Sequence, residues 1–120
     1  MKKNIAMKWV KALESGDYKQ GRERLRSKSN KFCCLGVLCN IHAQENPKFA
    51  KKMKDNLSYG TDGFGTPEGG VLPVEVMEWA GMENTDGKYA SFIPSLIELN
   101  DGGVNFEKIA QTIKDNWKSL

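Results

Sequence analysis

Between Lys19 and Lys31 the chain reads Lys-Gln-Gly-Arg-Glu-Arg-Leu-Arg-Ser-Lys-Ser-Asn-Lys. Arg22, Arg24, Arg26 and Lys28 alternate with Gly21, Glu23, Leu25 and Ser27. In an extended strand that alternation sets four cations on one face and turns Leu25 inward. Guanidinium groups grip phosphate and carboxylate oxygens bidentately, so this pattern points to recognition of an anion by Arg22, Arg24 and Arg26, with Lys19 and Lys28 assisting. Tyr18 stands just before the segment, and Tyr59 and Phe64 lie in a glycine-rich stretch. These three are the candidate aromatic surfaces on which a base would stack. The competing reading is a solvated basic face, with Tyr59 and Phe64 serving only to pin their loop to the core.

Other residue types that could do chemistry are sparse. The single histidine, His42, follows Cys39 by three residues, which places the pair on one helical face, but no orienting carboxylate is identifiable beside them. Cys33, Cys34 and Cys39 fall within one apolar run. An odd, tightly clustered set is a poor disulfide framework, and no second ligand pair completes a zinc site. Buried, reduced thiols are expected. Glu75 and Glu78 are three apart and read as solvated surface charge. The glycines between 60 and 70 lack the Lys-Ser/Thr ending of a phosphate loop, and no Gly-x-Gly-x-x-Gly is present. No catalytic residues, no metal and no cofactor are therefore expected, and a binding protein is favoured over an enzyme.

The 120 residues suffice for one domain, 1–120, with a core large enough to stand without staples. No run approaches the ~18 apolar residues of a membrane span, and Lys8 and Lys11 interrupt the apolar residues of the N-terminal segment, unlike a signal peptide. A cytoplasmic protein with no membrane partner is the expectation. The net charge of +3 is unevenly spread: residues 1–32 hold ten basic and three acidic residues, residues 33–120 eight basic and twelve acidic. A local basic patch favours a nucleotide, a nucleic acid or an acidic protein face, although the acidic remainder opposes a broad nucleic-acid footprint.

The elements that must position these groups are mostly helices. Residues 4–15 are amphipathic through Ile5, Trp9, Val10 and Leu13, with Asn4 as a cap and Gly16 as a stop. Asp17 to Asn30 reads as extended, closed by a turn at 27–30. Phe32 to Gln44 is apolar nearly all round and reads as a buried helix in which Gly36 admits a close neighbouring backbone; a buried strand through Leu38 is the alternative. Pro47 to Lys54 is a short basic helix. Residues 56–72 form a Gly-rich loop. Leu72 to Met82 is a helix opened by Pro73 and stopped by Gly81. Ser91 to Leu99 contains a short helix, Asn100-Asp101-Gly102-Gly103 forces a turn, and Asn105 caps a last helix from Phe106 to Trp117. The mixed outer face of that helix is unlike a DNA-recognition helix. The fold class expected is α+β, mainly helical: a compact single domain with four or five short helices and a minor β-hairpin or extended segment.

Several blocks carry a resemblance. Lys8-Trp9-Val10-Lys11-Ala12-Leu13, Tyr18-Lys19-Gln20-Gly21, Leu25-Arg26 and Phe32-Cys33-Cys34-Leu35-Gly36-Val37-Leu38-Cys39 resemble a family of small phage and prophage-encoded proteins, mostly without assigned activity. Leu72-Pro73, Trp79-Ala80-Gly81, Leu99-Asn100-Asp101-Gly102 and Phe106-Glu107-Lys108-Ile109-Ala110 extend the likeness toward the C-terminus. The resemblance implies phage origin and a cytoplasmic setting in the host cell. By analogy with small phage domains as a class, it implies an anti-defence role. The expected partner is an anionic, nucleotide-like small molecule, such as a host defence second messenger, held by sequestration. A host protein bound by an inhibitor is the alternative, and nucleic acid comes third. A homodimer is the expected assembly, because small binders gain pocket walls from a second subunit.

Overall fold

Apolar residues on one stripe and lysines on the other make the first helix, α1 (Lys3–Glu14), which buries Ile5, Ala6, Trp9, Val10 and Leu13. The computed structural model describes residues 1–58, 62–64 and 70–120. In it Lys2, not Asn4, is the N-cap of α1, and its extended backbone accepts the first helical bond from Ala6 N–H. Gly16 takes φ +78° just past the C-cap, the left-handed conformation expected of a helix stop.

Two two-residue strands follow, β1 (Lys19–Gln20) and β2 (Lys31–Phe32), paired in parallel. Parallel partners normally need a crossover of a dozen or more residues. Here the ten intervening residues double back instead. Arg26 makes an antiparallel bridge to Phe32, so β2 is flanked on both sides by the same segment. The minor extended element expected here is thus two short strands, with the turn at 27–30 folding the segment back around β2.

The remaining helices are α2 (Cys34–Glu45), α3 (Pro47–Ser58), α4 (Val74–Ala80), α5 (Leu96–Asp101) and α6 (Phe106–Asn116), closed by a 3₁₀ turn at Trp117–Ser119. Mainly helical α+β is the observed class. α1 lies along α6, and α2 runs through the centre in contact with α1, α3, α4 and α5. The backbone is helical from Cys34 to Glu45, which settles the helix-or-strand alternative in favour of the helix, and Cys34 to Cys39 are all buried. Helix α3 extends through residues 56–58, so the first part of the expected Gly-rich loop is helical. Helix α5 starts later than the pattern suggests. Ser95 caps it in a reciprocal box with Glu98, and Asn100 and Asp101 end the helix rather than form the turn. Pro73, Gly81 (φ +70°) and Asn105 sit at the helix ends expected of them.

Two contacts fix α2. Leu25 is fully buried, and its carbonyl lies so close to Gly36 that a Cβ there would come within 1.7 Å of the oxygen. Trp9 is a core anchor whose indole Nε1 donates to the Cys34 carbonyl at 2.8 Å. At the start of α2, where helix N–H groups lack internal partners, Asn100 supplies one. Its Oδ1 accepts from Cys34 N at 3.0 Å and from Gln20 Nε2 at 2.9 Å. Its Nδ2 donates to the Gly21 carbonyl at 2.9 Å and to Asp101 Oδ1 at 3.2 Å. A fully buried amide with all its bonds made thus ties α5, α2 and the basic segment together.

Candidate functional site

The same tie decides where the basic side chains go. Asp101 Oδ1 accepts from the Glu23 N–H at 2.9 Å, and Glu23 adopts φ +67°. A left-handed residue cannot continue a strand, so the alternation of cations loses its common face. Arg22 turns toward Gly103, where a Cβ would meet its guanidinium at 3.0 Å. Arg24 and Lys28 are exposed. Arg26 alone of the arginines folds back, over the Phe32 ring with its guanidinium carbon 5.8 Å from the centroid.

Arg26 there forms one wall of an open cleft of about 790 Å³ between the basic segment, α2 and α3. Tyr18, Lys19 and Arg26 of the expected set meet in it, joined by Asn40 and Gln44 of α2 and Met53 and Lys54 of α3. Arg22, Arg24 and Lys28 do not line it. Arg26 Nε donates to Asn30 Oδ1 at 2.9 Å, and its terminal nitrogens have no partner among the described residues. Lys19 also stands unpaired among them. Tyr18 is held rigidly: its hydroxyl accepts from Asn40 Nδ2 at 2.7 Å, and its ring meets Phe32 edge to face at 5.1 Å. The cleft therefore offers a fixed aromatic, cations with free donors, and amide groups from Asn30, Asn40 and Gln44.

The other two aromatic candidates divide differently. Phe64 is buried, stacked on Phe49 at 6.1 Å, and its N–H donates to Asp62 Oδ1 at 2.9 Å. It pins its loop to the core and is no cleft wall. Tyr59 lies outside the described residues.

Sequence reasoning missed Asn40, Gln44 and Lys54 as site residues. Asn40 and Gln44, four apart at the polar end of an otherwise apolar helix, were the available signal. A second pairing was also not legible. His42 is buried between the Phe49 ring at 4.8 Å and the Trp79 ring at 4.7 Å, and its Nε2 lies 2.6 Å from Glu75 Oε2. Glu75, expected to be solvated surface charge, thus holds α4 to α2 while remaining half exposed. His42 Nδ1 has no partner among the described residues.

The cysteines are free and buried. Burial pushes the Cys33 thiol up to about 12, and raises Cys34 and Cys39 well above the ordinary thiol value. Such thiols are poor nucleophiles and poor metal ligands at neutral pH. Among the described residues no group of three or more His, Cys, Asp or Glu converges as a metal site. No helix among them is long and apolar enough to cross a membrane.

The structure therefore defines a mainly helical α+β domain with a basic, aromatic-walled cleft on one side of its central helix. The chain belongs to the family of domains of unknown function DUF8296, whose model matches residues 1–117. No curated protein and no solved structure matches it.

Proposed function

We propose that this protein is a small phage-type binding protein that sequesters an anionic, nucleotide-like ligand in the Tyr18–Arg26–Lys54 cleft, within the host cytoplasm and against a host defence signal. The observation that carries this reading is the convergence of Lys19, Arg26 and Lys54 around a Tyr18 ring fixed by Asn40. Lys19 and the terminal nitrogens of Arg26, unpaired among the described residues, are suited to phosphate, and an immobilised aromatic offers a base its stacking surface at little entropic cost. The walls supply donors and cations with one carboxylate, Asp17, which is equipment for holding a ligand rather than for transforming it.

The test is isothermal titration of mononucleotides and linked nucleotides against wild type, Arg26→Glu and Arg24→Glu. Loss of a charge-assisted contact, about 1.5–3 kcal/mol, weakens binding by roughly 10- to 150-fold in Arg26→Glu. Arg24→Glu stays within about twofold, because Arg24 is outside the cleft. Equal losses in both variants would reduce the effect to general electrostatics and remove the cleft from the reading.

A second reading, an inhibitor that binds a host protein, is favoured by one feature. Phe92 is fully exposed at φ +65°, beside the exposed Ile93. An aromatic held outward on a left-handed turn suits a protein contact. Its mark would be a host protein retained by wild type and released by Phe92→Ala, with no nucleotide raising the melting temperature.

A further inference from the structure

Next to the cleft, and sharing Asp17, Tyr18 and Gln44 as walls, lies a second open hollow of about 420 Å³ between α1 and α2, the smaller of two adjoining lobes. Both lobes fall within the ~300–1,000 Å³ usual for one small-molecule unit. Their electrostatics differ. The larger lobe is lined by Lys19 and Arg26, neither in an ion pair among the described residues, and by one carboxylate, Asp17. In the smaller lobe Lys8 is tied to Glu45 at 2.6 Å, and Lys11 and the shared Asp17 are the other charged walls, two cations to two carboxylates. Ala12 and Ile41 give this lobe an apolar contribution. A third hollow touching Tyr18 is lined by Glu107 and by Glu14, which is paired with Lys114 at 3.2 Å, with no cation among its walls, so it offers an anion no favourable charge.

We infer that the ligand is a pair of units joined through phosphate, with the phosphates and one unit in the basic lobe and an uncharged nucleoside or sugar in the neutral lobe beyond Tyr18. This rests on the nucleotide-binding reading above and deepens it. A single nucleotide satisfies the basic lobe and leaves the partly exposed surface around Ala12 in water. A second unit crossing at Gln44 covers that surface without bringing further charge to it.

The experiment titrates four probes against the full chain: AMP and ADP as single units, the linear dinucleotide pApA as a phosphodiester-linked pair, and ADP-ribose as a pyrophosphate-linked pair. At least one linked probe binds wild type ten-fold or more tighter than ADP, and which one does identifies the linkage. Ala12→Leu, which fills the smaller lobe while keeping a strong helix former, abolishes that advantage and leaves ADP binding within twofold. Lys11→Glu, on the exposed face of α1, makes the neutral lobe acidic and reduces the advantage at least threefold, a second route should the leucine disturb packing. Linked probes no tighter than ADP on wild type, or an advantage that survives both substitutions, overturn the two-lobe inference while the cleft reading stands. Failure of all four probes to bind overturns both.

Discussion

The two ends of α2 do opposite things with the same backbone. The N-terminal end is sealed: Gly36 meets the Leu25 carbonyl, Trp9 bonds to Cys34, and Asn100 takes the Cys34 N–H. The C-terminal end opens: Asn40 and Gln44 face the cleft, and Asn40 spends its donor on Tyr18 rather than on the core. One end converts burial into rigidity, and the other uses that rigidity to hold a ring still where a ligand can reach it. A site on a helix whose far end is over-determined loses little order on binding.

The contrast breaks most completely at Gly36. A methyl group there collides with a main-chain oxygen that cannot swing aside, so Gly36→Ala lowers stability by more than about 3 kcal/mol or prevents folding, as read by urea denaturation. Asn100→Ala comes next. It leaves the buried Cys34 N–H and the Gly21 carbonyl without their partner, while Gln20 keeps its bond to the Val104 carbonyl, a loss of about 3 kcal/mol. That variant also loosens the basic segment, so its amide exchange between Gln20 and Arg26 accelerates more than that of α6.

Alkaline pH destabilises the fold through the buried thiols of α2 and its N-cap. An unfolded thiol ionises near 9.0, whereas burial makes Cys33 hold its proton to about 12. Above pH 9 the folded state therefore binds more protons than the unfolded one, and stability falls as pH rises through that window. Each buried thiol contributes up to about 1.4 kcal/mol per pH unit to the fall. Replacing Cys39 with Ala reduces the slope of melting temperature against pH between 9 and 11; an unchanged slope would mean that its burial is not what sets it. The smallest effect on stability belongs to the open end. Asn40→Ala costs about 1 kcal/mol or less, by loss of one half-buried bond, yet it frees Tyr18 and weakens ligand binding severalfold.

What was legible in the sequence follows the same division. Helix faces and stops follow local rules, so α1, the Gly81 stop and the Asn105 cap were readable from neighbours within four residues. Gly36 as a place of close backbone approach was readable too, though not that Leu25 would fill it. The arginine alternation failed because a bond from 78 residues away, Asp101 to Glu23, imposes the turn that breaks it. The cleft was half legible: Tyr18, Lys19 and Arg26 come from one local stretch, whereas Lys54 and Asn40 arrive by tertiary packing. The Glu75–His42 contact, 33 residues apart, has no local signature at all.

The Asn100 tie also has a consequence in time. Its bonds to Gln20 and Cys34 span 80 and 66 residues. At a synthesis rate of about 5–20 residues per second, the gap between making Gln20 and making Asn100 is about 4–16 s. Throughout that interval the segment that becomes the cleft wall has no fixed turn at Glu23 and no closed helix above it. The nascent chain therefore emerges with its basic stretch unfolded, and acquires a cleft only once Asn100 has left the ribosome.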